Sequence, residues 1–460
     1  MIFHVMNAST IKVAGIPEEK QALWDILSYT TPTRLPQYGG KFAYVKSSKF
    51  DRRSNSIGYG LLKFVIKKLQ EKDIDCEIKQ IVKSTFLDYR EEVNLKGINL
   101  EAYQEKILTK TEDHKRGVIE APTAAGKTII TAGIIKKFYI PRTIIVVPTS
   151  DIARNTIREL EKLLRMPIGL FGDSSKELKK VTVFLYQSLS QLKNIDPLNK
   201  VTDLIIIDEI HLAIKQIEDI LEKFTNVWYR YGLSATPISS AKKKEWFTIT
   251  SQIGEKFITI TDKQAKKRVS NVEVYMFPFK GSRTYDNYLE SYRPDVILSE
   301  PRNKLIAKMT NWAFVEKKVE NLLILVDEYQ QAKLIHKFLN SEQKIYSEIA
   351  HSKLNSKELE RMKADLNNKK LKVCIATPVF GTGTNIPEVE CVIIGSARKS
   401  ITNTKQKAGR GRRRTGTKDI LLLLDIFDNI GRNDKYFKKF SERRLGIYKR
   451  KGWFKDFITL

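Results

Sequence analysis

From about residue 94 the chain alternates short apolar runs with longer amphipathic stretches. Gly117–Glu120, Thr143–Val147, Val181–Leu185 and Leu204–Ile207 are brief and β-branched, and helical stretches such as Asp151–Leu164 separate them. Strands that alternate with helices predict a parallel sheet with crossover helices. A second series starts near Pro301. Asn303–Val315 reads as a helix, Leu322–Val326 as a strand, Gln330–Asn340 as a helix, and Lys372–Ala376 and Cys391–Ile394 as strands. Between the series, residues 238–300 are polar and basic, with Lys242–Lys244 and Lys266–Arg268, and read as the end of the first unit plus a linker. Residues 1–92 differ. Leu61, Leu62, Val65, Ile66 and Leu69 fall at helical spacing within Gly60–Asp73, Ile74–Val82 reads as a strand, and Val45–Asn55 as a basic loop. The expected architecture is α/β: a small accessory domain (1–92) ahead of two tandem units with parallel sheets (93–298 and 299–460).

Composition narrows the partners. The chain has 460 residues, 81 Lys+Arg against 53 Asp+Glu, and a net charge of +28. A surplus of that size calls for a polyanion, nucleic acid first and an anionic membrane second. It is uneven: net +5 over residues 1–100, +6 over 101–300 and +17 over 301–460. No apolar run approaches the roughly 20 residues that span a bilayer. The N-terminus lacks the basic-then-apolar pattern of a signal peptide. Cys76, Cys374 and Cys391 are too few and too far apart for a disulfide framework or a structural zinc site, so reduced thiols in a cytoplasmic protein are expected.

Candidate chemistry begins at Ala121-Pro-Thr-Ala-Ala-Gly-Lys-Thr128, after one apolar strand and before a predicted helix Thr128–Lys137. Such a loop turns backbone N–H groups and a helix N-terminus toward phosphates. Lys127 would reach the β- and γ-phosphates of ATP, with Thr123 and Gly126 in the loop and the Thr128 hydroxyl on Mg²⁺. Ala121 stands where the strict pattern has Gly. Asp208-Glu-Ile-His211 lies 81 residues after Lys127, at the carboxyl end of another buried strand, where α/β sheets place ligands. Asp208 would hold Mg²⁺ and Glu209 would orient or deprotonate the attacking water.

This ordered set resembles the superfamily 2 helicases of the DExH kind, over about residues 95–455. Ser234-Ala-Thr-Pro237 is similar to the motif linking ATP state to nucleic-acid grip, which marks Ser234 and Thr236 as coupling residues. Gln406-Lys-Ala-Gly-Arg-Gly-Arg-Arg413 is similar to the sixth motif. The resemblance implies catalytic roles for Gln406, Arg410 and Arg413, with Arg413 neutralising charge on the γ-phosphate, an effect worth about 10³–10⁵ in rate. Leu100–Gln104 resembles the upstream glutamine motif, so Gln104 would read adenine. Ala376–Pro387 resembles the fifth motif, so Gly383 and Asn385 would help hold the nucleotide. Val146–Ser150 and Tyr186–Leu189 resemble strand-gripping motifs. Thr149, Ser150, Arg154, Gln187, Ser188, His351 and Thr377 are therefore the expected strand contacts, through groups that bind phosphate without reading sequence. Ala124 for Gly, Asn155 for Gln, Leu185 for Thr and Asn385 for Asp depart from the family pattern without removing a catalytic group.

The resemblance implies two RecA-like domains, ATP and Mg²⁺ as cofactors, and movement on one strand as ATP turns over. The compact form and the ending Ser441–Lys449 look most like phage helicases that remodel forks and Holliday junctions. The expectation is thus a monomeric 3′→5′ DNA helicase or translocase of recombination, repair or replication, needing no membrane. Basic Lys46, Lys49, Arg52 and Arg53 would let the N-terminal domain engage the junction. An RNA helicase, a restriction-type motor and a binding module with a decayed ATP site are the rivals. Intact Lys127, Asp208, Glu209 and Arg413 oppose the last. The aromatic pairs Trp228-Tyr229 and Trp453-Phe454 could stack bases, but packing inside the fold accounts for them better.

Overall fold

The computed structural model describes the chain except for residues 35–41, 96, 124, 213, 236–241, 266–269, 283, 286, 379–385, 387, 399–419 and 432–435. Two compact units emerge: Met1–Pro122 with Gly126–Gln264, and Thr123–Ala125 with Ala265–Leu460.

The first unit is built on an eight-stranded sheet. Its order is Ser175–Glu177, Gly169–Gly172, Val181–Leu185, Thr143–Val147, Leu204–Asp208, Tyr229–Ser234, Arg116–Glu120 and Lys256–Thr259. All neighbours are parallel except the pair at the Ser175–Glu177 edge. Helices cover the faces, so the central strands are buried on both sides and read as unbroken apolar runs. Thr143–Val147 and Tyr229–Ser234 are buried along their whole length. Trp228 and Tyr229 lie in this interior at 3% and 4% exposure, as packing rather than base stacking requires.

Residues 1–92 form a four-stranded sheet ordered Ser56–Gly58, Thr10–Ala14, Ile2–Val5, Glu77–Gln80, with helices Pro17–Ile26 and Leu62–Gln70. Alternating burial in the first two strands marks a sheet with one face inward. A separate hairpin pairs Ser28–Arg34 with Phe42–Ser48. The basic stretch expected to be a loop over Val45–Asn55 therefore begins inside a strand. This region is also joined to the eight-stranded part of the unit rather than standing apart from it. Ala8 N–H donates to the Thr225 carbonyl at 2.8 Å, and Ser9 Oγ to the Leu221 carbonyl at 3.0 Å. Fully buried Arg230 donates to Ser9 Oγ at 2.8 Å. A Cβ at Gly60 would stand 2.0 Å from the Thr250 carbonyl, so only glycine allows the helices to meet there.

The second unit has a seven-stranded parallel sheet: Glu348–Ala350, Val373–Ala376, Leu322–Leu325, Cys391–Ile394, Ile420–Ile430, Asn271–Gly281 and Phe454–Phe457. This corrects the expected boundary at 298. Asn271–Gly281, read from the sequence as the end of the first unit and a linker, pairs along all of its length with Ile420–Ile430. Val274, Met276 and Phe277 are fully buried there, which fixes its place. Two buried charge pairs brace this sheet. Arg302 Nε donates to Asp428 Oδ1 at 2.7 Å, and Arg444 Nε to Asp425 Oδ2 at 2.7 Å. Trp453 is 6% exposed and packs in the core. The three cysteines form no disulfide. Among the described residues no helix is long and apolar enough to cross a membrane.

Candidate active site

The site grows from the carboxyl ends of the central strands of the first sheet. Strand Arg116–Glu120 leads through a turn containing Thr123 to helix Lys127–Lys137. Gly126 caps that helix at φ +78°, where L side chains are strained. A Cβ at Gly126 would also stand 2.9 Å from Gln104 Nε2. Gln104 is fully buried in the first turn of helix Ala102–Asp113, where its Oε1 accepts the Glu101 N–H at 3.1 Å. The glutamine singled out upstream and the phosphate loop are thus packed together.

Lys127 opens its helix, so its ammonium joins the positive end of the dipole. It donates to Glu209 Oε1 and lies 3.4 Å from Asp208 Oδ1. Burial alone would lower the Lys127 pKa, but the two carboxylates outweigh it and hold the ammonium protonated above its ordinary range. Burial pushes the Asp208 carboxyl upward, with Lys127 acting against that rise. The Asp208 carbonyl accepts the Tyr186 hydroxyl at 2.7 Å, and its Oδ1 accepts the Glu209 N–H at 2.9 Å. Glu209 has φ +48°, a conformation non-glycine residues rarely adopt. Its Oε2 is buried and accepts no hydrogen bond among the described residues.

Ser234 ends the neighbouring strand and touches two elements at once. Its carbonyl accepts the Ala121 N–H at 3.0 Å, at the root of the phosphate loop. Its hydroxyl is 2.7 Å from His211 Nδ1. Burial, then the Lys127 charge, push the His211 pKa down to about 4, so the imidazole is neutral near pH 7. Its 3.5 Å approach to Glu209 Oε2 is then a dipolar contact rather than an ion pair. Sequence reasoning does not find the His211–Ser234 contact or the role of Tyr186. The run Asp208–His211, which leaves the end of strand Leu204–Asp208 beside the strand that Ser234 ends, is the available signal for the first.

The remaining expected residues occupy several elements. Thr149 caps helix Ser150–Leu164, accepting the Ile152 N–H at 3.4 Å. Ser150 opens that helix, and Gln187 and Ser188 lie on helix Tyr186–Ser190. All four follow strands ending on the same sheet edge as Asp208. Arg154 is half exposed and pairs with Asp173. In the second unit His351 follows strand Glu348–Ala350 and lies against Tyr329, ring centroids 4.5 Å apart. Thr377 is only 8% exposed and donates to the Ala350 carbonyl at 3.1 Å, so its hydroxyl is largely internal. Thr236, Gly383, Asn385, Gln406, Arg410 and Arg413 lie outside the described residues.

The donor set suits a nucleotide and a hard cation. A helix N-terminus and an ammonium meet phosphates. Carboxylate and hydroxyl oxygens from Asp208 and Thr128 suit Mg²⁺. The Glu209 oxygen turned away from Lys127, which accepts no hydrogen bond among the described residues, can accept one from a water.

Comparison with known proteins agrees. Residues 97–239 match the family of type III restriction enzyme res subunits, and residues 303–415 match the helicase conserved C-terminal domain. Together the two cover more than half of the chain. Among curated proteins, the chain is 24% identical to the "DNA 3'-5' translocase XPB2" of Sulfurisphaera tokodaii, over 76% of this chain and 86% of the relative. It is also 24% identical to the "ATP-dependent DNA helicase uvsW" of Enterobacteria phage T4, over 72% and 68%. Dbp5 of S. cerevisiae, solved with RNA and ADP BeF3, shares the fold at a TM-score of 0.54 and 15% identity, over 79% of this chain and 91% of that one. A Lys127 ammonium on an Asp-Glu pair, two α/β units each built on a largely parallel sheet and these two matched regions converge: the chain belongs to the superfamily 2 helicases and is an ATP-dependent helicase.

Proposed function

We propose that this helicase acts on DNA and remodels branched structures, forks and Holliday junctions, while moving 3′→5′ along one strand. The observation that carries the motor chemistry is the convergence of Lys127, Asp208 and Glu209 on one sheet edge, with Ser234 tying that edge to the phosphate loop. DNA as the substrate and the direction rest on the names of the translocase and phage relatives. In this reading Lys127 leaves the carboxylates for the β- and γ-phosphates when ATP binds. Thr128 and Asp208 would hold Mg²⁺, which would neutralise phosphate charge. Glu209 orients the attacking water and takes its proton. Arg413 and Arg410 would neutralise charge on the γ-phosphate. Thr149, Ser150, Gln187 and Ser188 hold a strand backbone, so binding is largely independent of sequence and weakens with salt.

The test offers ATP and Mg²⁺ with a four-way DNA junction, a fork, a tailed duplex and an RNA duplex. Junction and fork should be processed fastest, and Lys127→Ala should abolish processing of both. Preference for the RNA duplex would replace this reading with an RNA helicase.

Ser234 gives a sharper expectation. It is the residue through which a change at the phosphate loop reaches the His211 side of the site. Ser234→Ala should retain ATP hydrolysis while the effect of an ATP analogue on DNA affinity, typically about 5–150-fold in such coupled systems, falls toward one. By reciprocity the effect of DNA on analogue affinity should fall by the same factor. Equilibrium binding in both directions checks this, and unchanged coupling would remove Ser234 from the linkage.

A further inference from the structure

A cavity of about 550 Å³ lies on the first unit, between the paired strands Ser28–Arg34 and Phe42–Ser48 and the start of helix Lys243–Ile253. Thr30 and Thr31 line it from one hairpin strand, Lys46 from the other, and Lys242, Lys243 and Lys244 from the helix start. Four ammonium groups therefore surround one groove, and among the described residues its only lining carboxylate is Glu245. Lys46 is held 2.8 Å from Asp25, and Lys242 lies 3.2 Å from Glu245. Lys243 and Lys244 are exposed and make no ion pair among the described residues. None of these residues belongs to the strand-gripping set or to the phosphate loop.

Lysine heads with threonine hydroxyls are the donors that proteins turn toward nucleic-acid phosphates. Single-strand grooves usually add an aromatic platform on which bases stack. Here Tyr29, the one lining aromatic among the described residues, is half-buried and packs on Phe247 with centroids 6.3 Å apart. The chemistry thus favours contact with a backbone alone. The hairpin is also a two-stranded ribbon outside the larger sheets, a shape that the major groove of B-form DNA admits. In the chain the lysines begin at Lys242, with four residues between them and the end of the Ser234–Pro237 motif.

We propose that this groove binds the phosphate backbone of a duplex DNA arm, on a surface distinct from the single-strand contacts. The inference rests on the DNA reading above. It assigns to Lys242–Lys244 and Lys46 a grip on duplex that lies a short stretch of chain from Ser234.

The test uses the full chain carrying Lys243→Ala and Lys244→Ala together. Both side chains are exposed, and an unchanged thermal midpoint shows that the fold persists. Binding of a blunt DNA duplex and of a single strand of equal length is followed by anisotropy as salt rises. Each lost phosphate contact should lower the magnitude of the duplex salt slope by about 0.9. The double variant is expected to lose up to about 2 in slope and on the order of tenfold in duplex affinity, with single-strand affinity and single-strand-stimulated ATPase unchanged. Unchanged duplex affinity and slope would overturn the proposal. So would an equal loss for single strand, which would place the groove on the tracking path. Failure of the DNA reading itself is separate: the unsubstituted protein would then prefer RNA in the same assay.

Discussion

Replacing Glu209 by Gln should leave ATP binding intact and slow nucleic-acid-stimulated hydrolysis by about 10²–10⁴. The side chain sits at the end of a buried strand with its backbone at φ +48°. Such a conformation costs on the order of 1–3 kcal/mol and persists only where the surroundings fix it. Here Asp208 Oδ1 accepts the Glu209 N–H, and Tyr186 donates to the Asp208 carbonyl. One carboxylate oxygen faces Lys127 and the other is buried without a hydrogen bond among the described residues. That second oxygen is the natural acceptor for a proton from water. Gln keeps the size and one carbonyl oxygen but has neither the charge nor the basicity. Lys127 would still have Asp208 at 3.4 Å, so the cation is not left unpaired. Steady-state hydrolysis at saturating single-stranded DNA, binding of a non-hydrolysable analogue and a thermal midpoint make up the measurement. Unchanged turnover would sink the role of Glu209 as base. Loss of analogue binding would instead mean that the substitution broke the site as a whole.

The buried parallel strands were legible because each is a short continuous apolar run. Thr143–Val147, Val181–Leu185 and Cys391–Ile394 have the bounds that their sequences suggest. Asn271–Gly281 was not legible. Glu273, Pro278 and Lys280 interrupt its apolar residues, and its partner Ile420–Ile430 is distant in sequence. Local pattern cannot reveal a pairing of that kind, so the strand read as linker. The end of the hairpin strand, Val45–Ser48, is polar after Val45 and is exposed at Val45 and Lys46, so it reads as the start of the loop Val45–Asn55. The seam between residues 1–92 and the first sheet depends on Gly60 and Arg230, neither of which stands out in sequence. At the site, Lys127, Asp208 and Glu209 were legible because phosphate chemistry needs those groups at strand ends. The approach of Gln104 to Gly126 and the double contact of Ser234 were not, since both arise from tertiary packing of elements far apart in sequence.

Arg413→Ala should retain ATP binding and lose turnover by about 10³–10⁵, the range for an arginine that stabilises charge on a transferring γ-phosphoryl group. The expectation comes from the pattern Gln406-Lys-Ala-Gly-Arg-Gly-Arg-Arg413, and the ends of that segment have a physical basis in the fold. Before it, the Gly395 carbonyl accepts from Arg302 Nη1 at 2.6 Å and from Gln331 Nε2 at 3.2 Å. The Arg398 carbonyl accepts from Arg444 Nη1 at 3.4 Å. After it, the chain re-enters the sheet as Ile420–Ile430. Arg302 and Arg444 are buried and paired with Asp428 and Asp425, and removing one partner of such a pair costs about 3–5 kcal/mol. Arg413→Lys separates charge from shape: it keeps the positive charge but loses the planar fork of donors. It should therefore recover only part of the loss. Analogue binding and stimulated hydrolysis, measured on both variants and on Arg410→Ala, decide the matter. Turnover unchanged in Arg413→Ala would remove Arg413 from the reaction, and a larger loss in Arg410→Ala would give the role to Arg410.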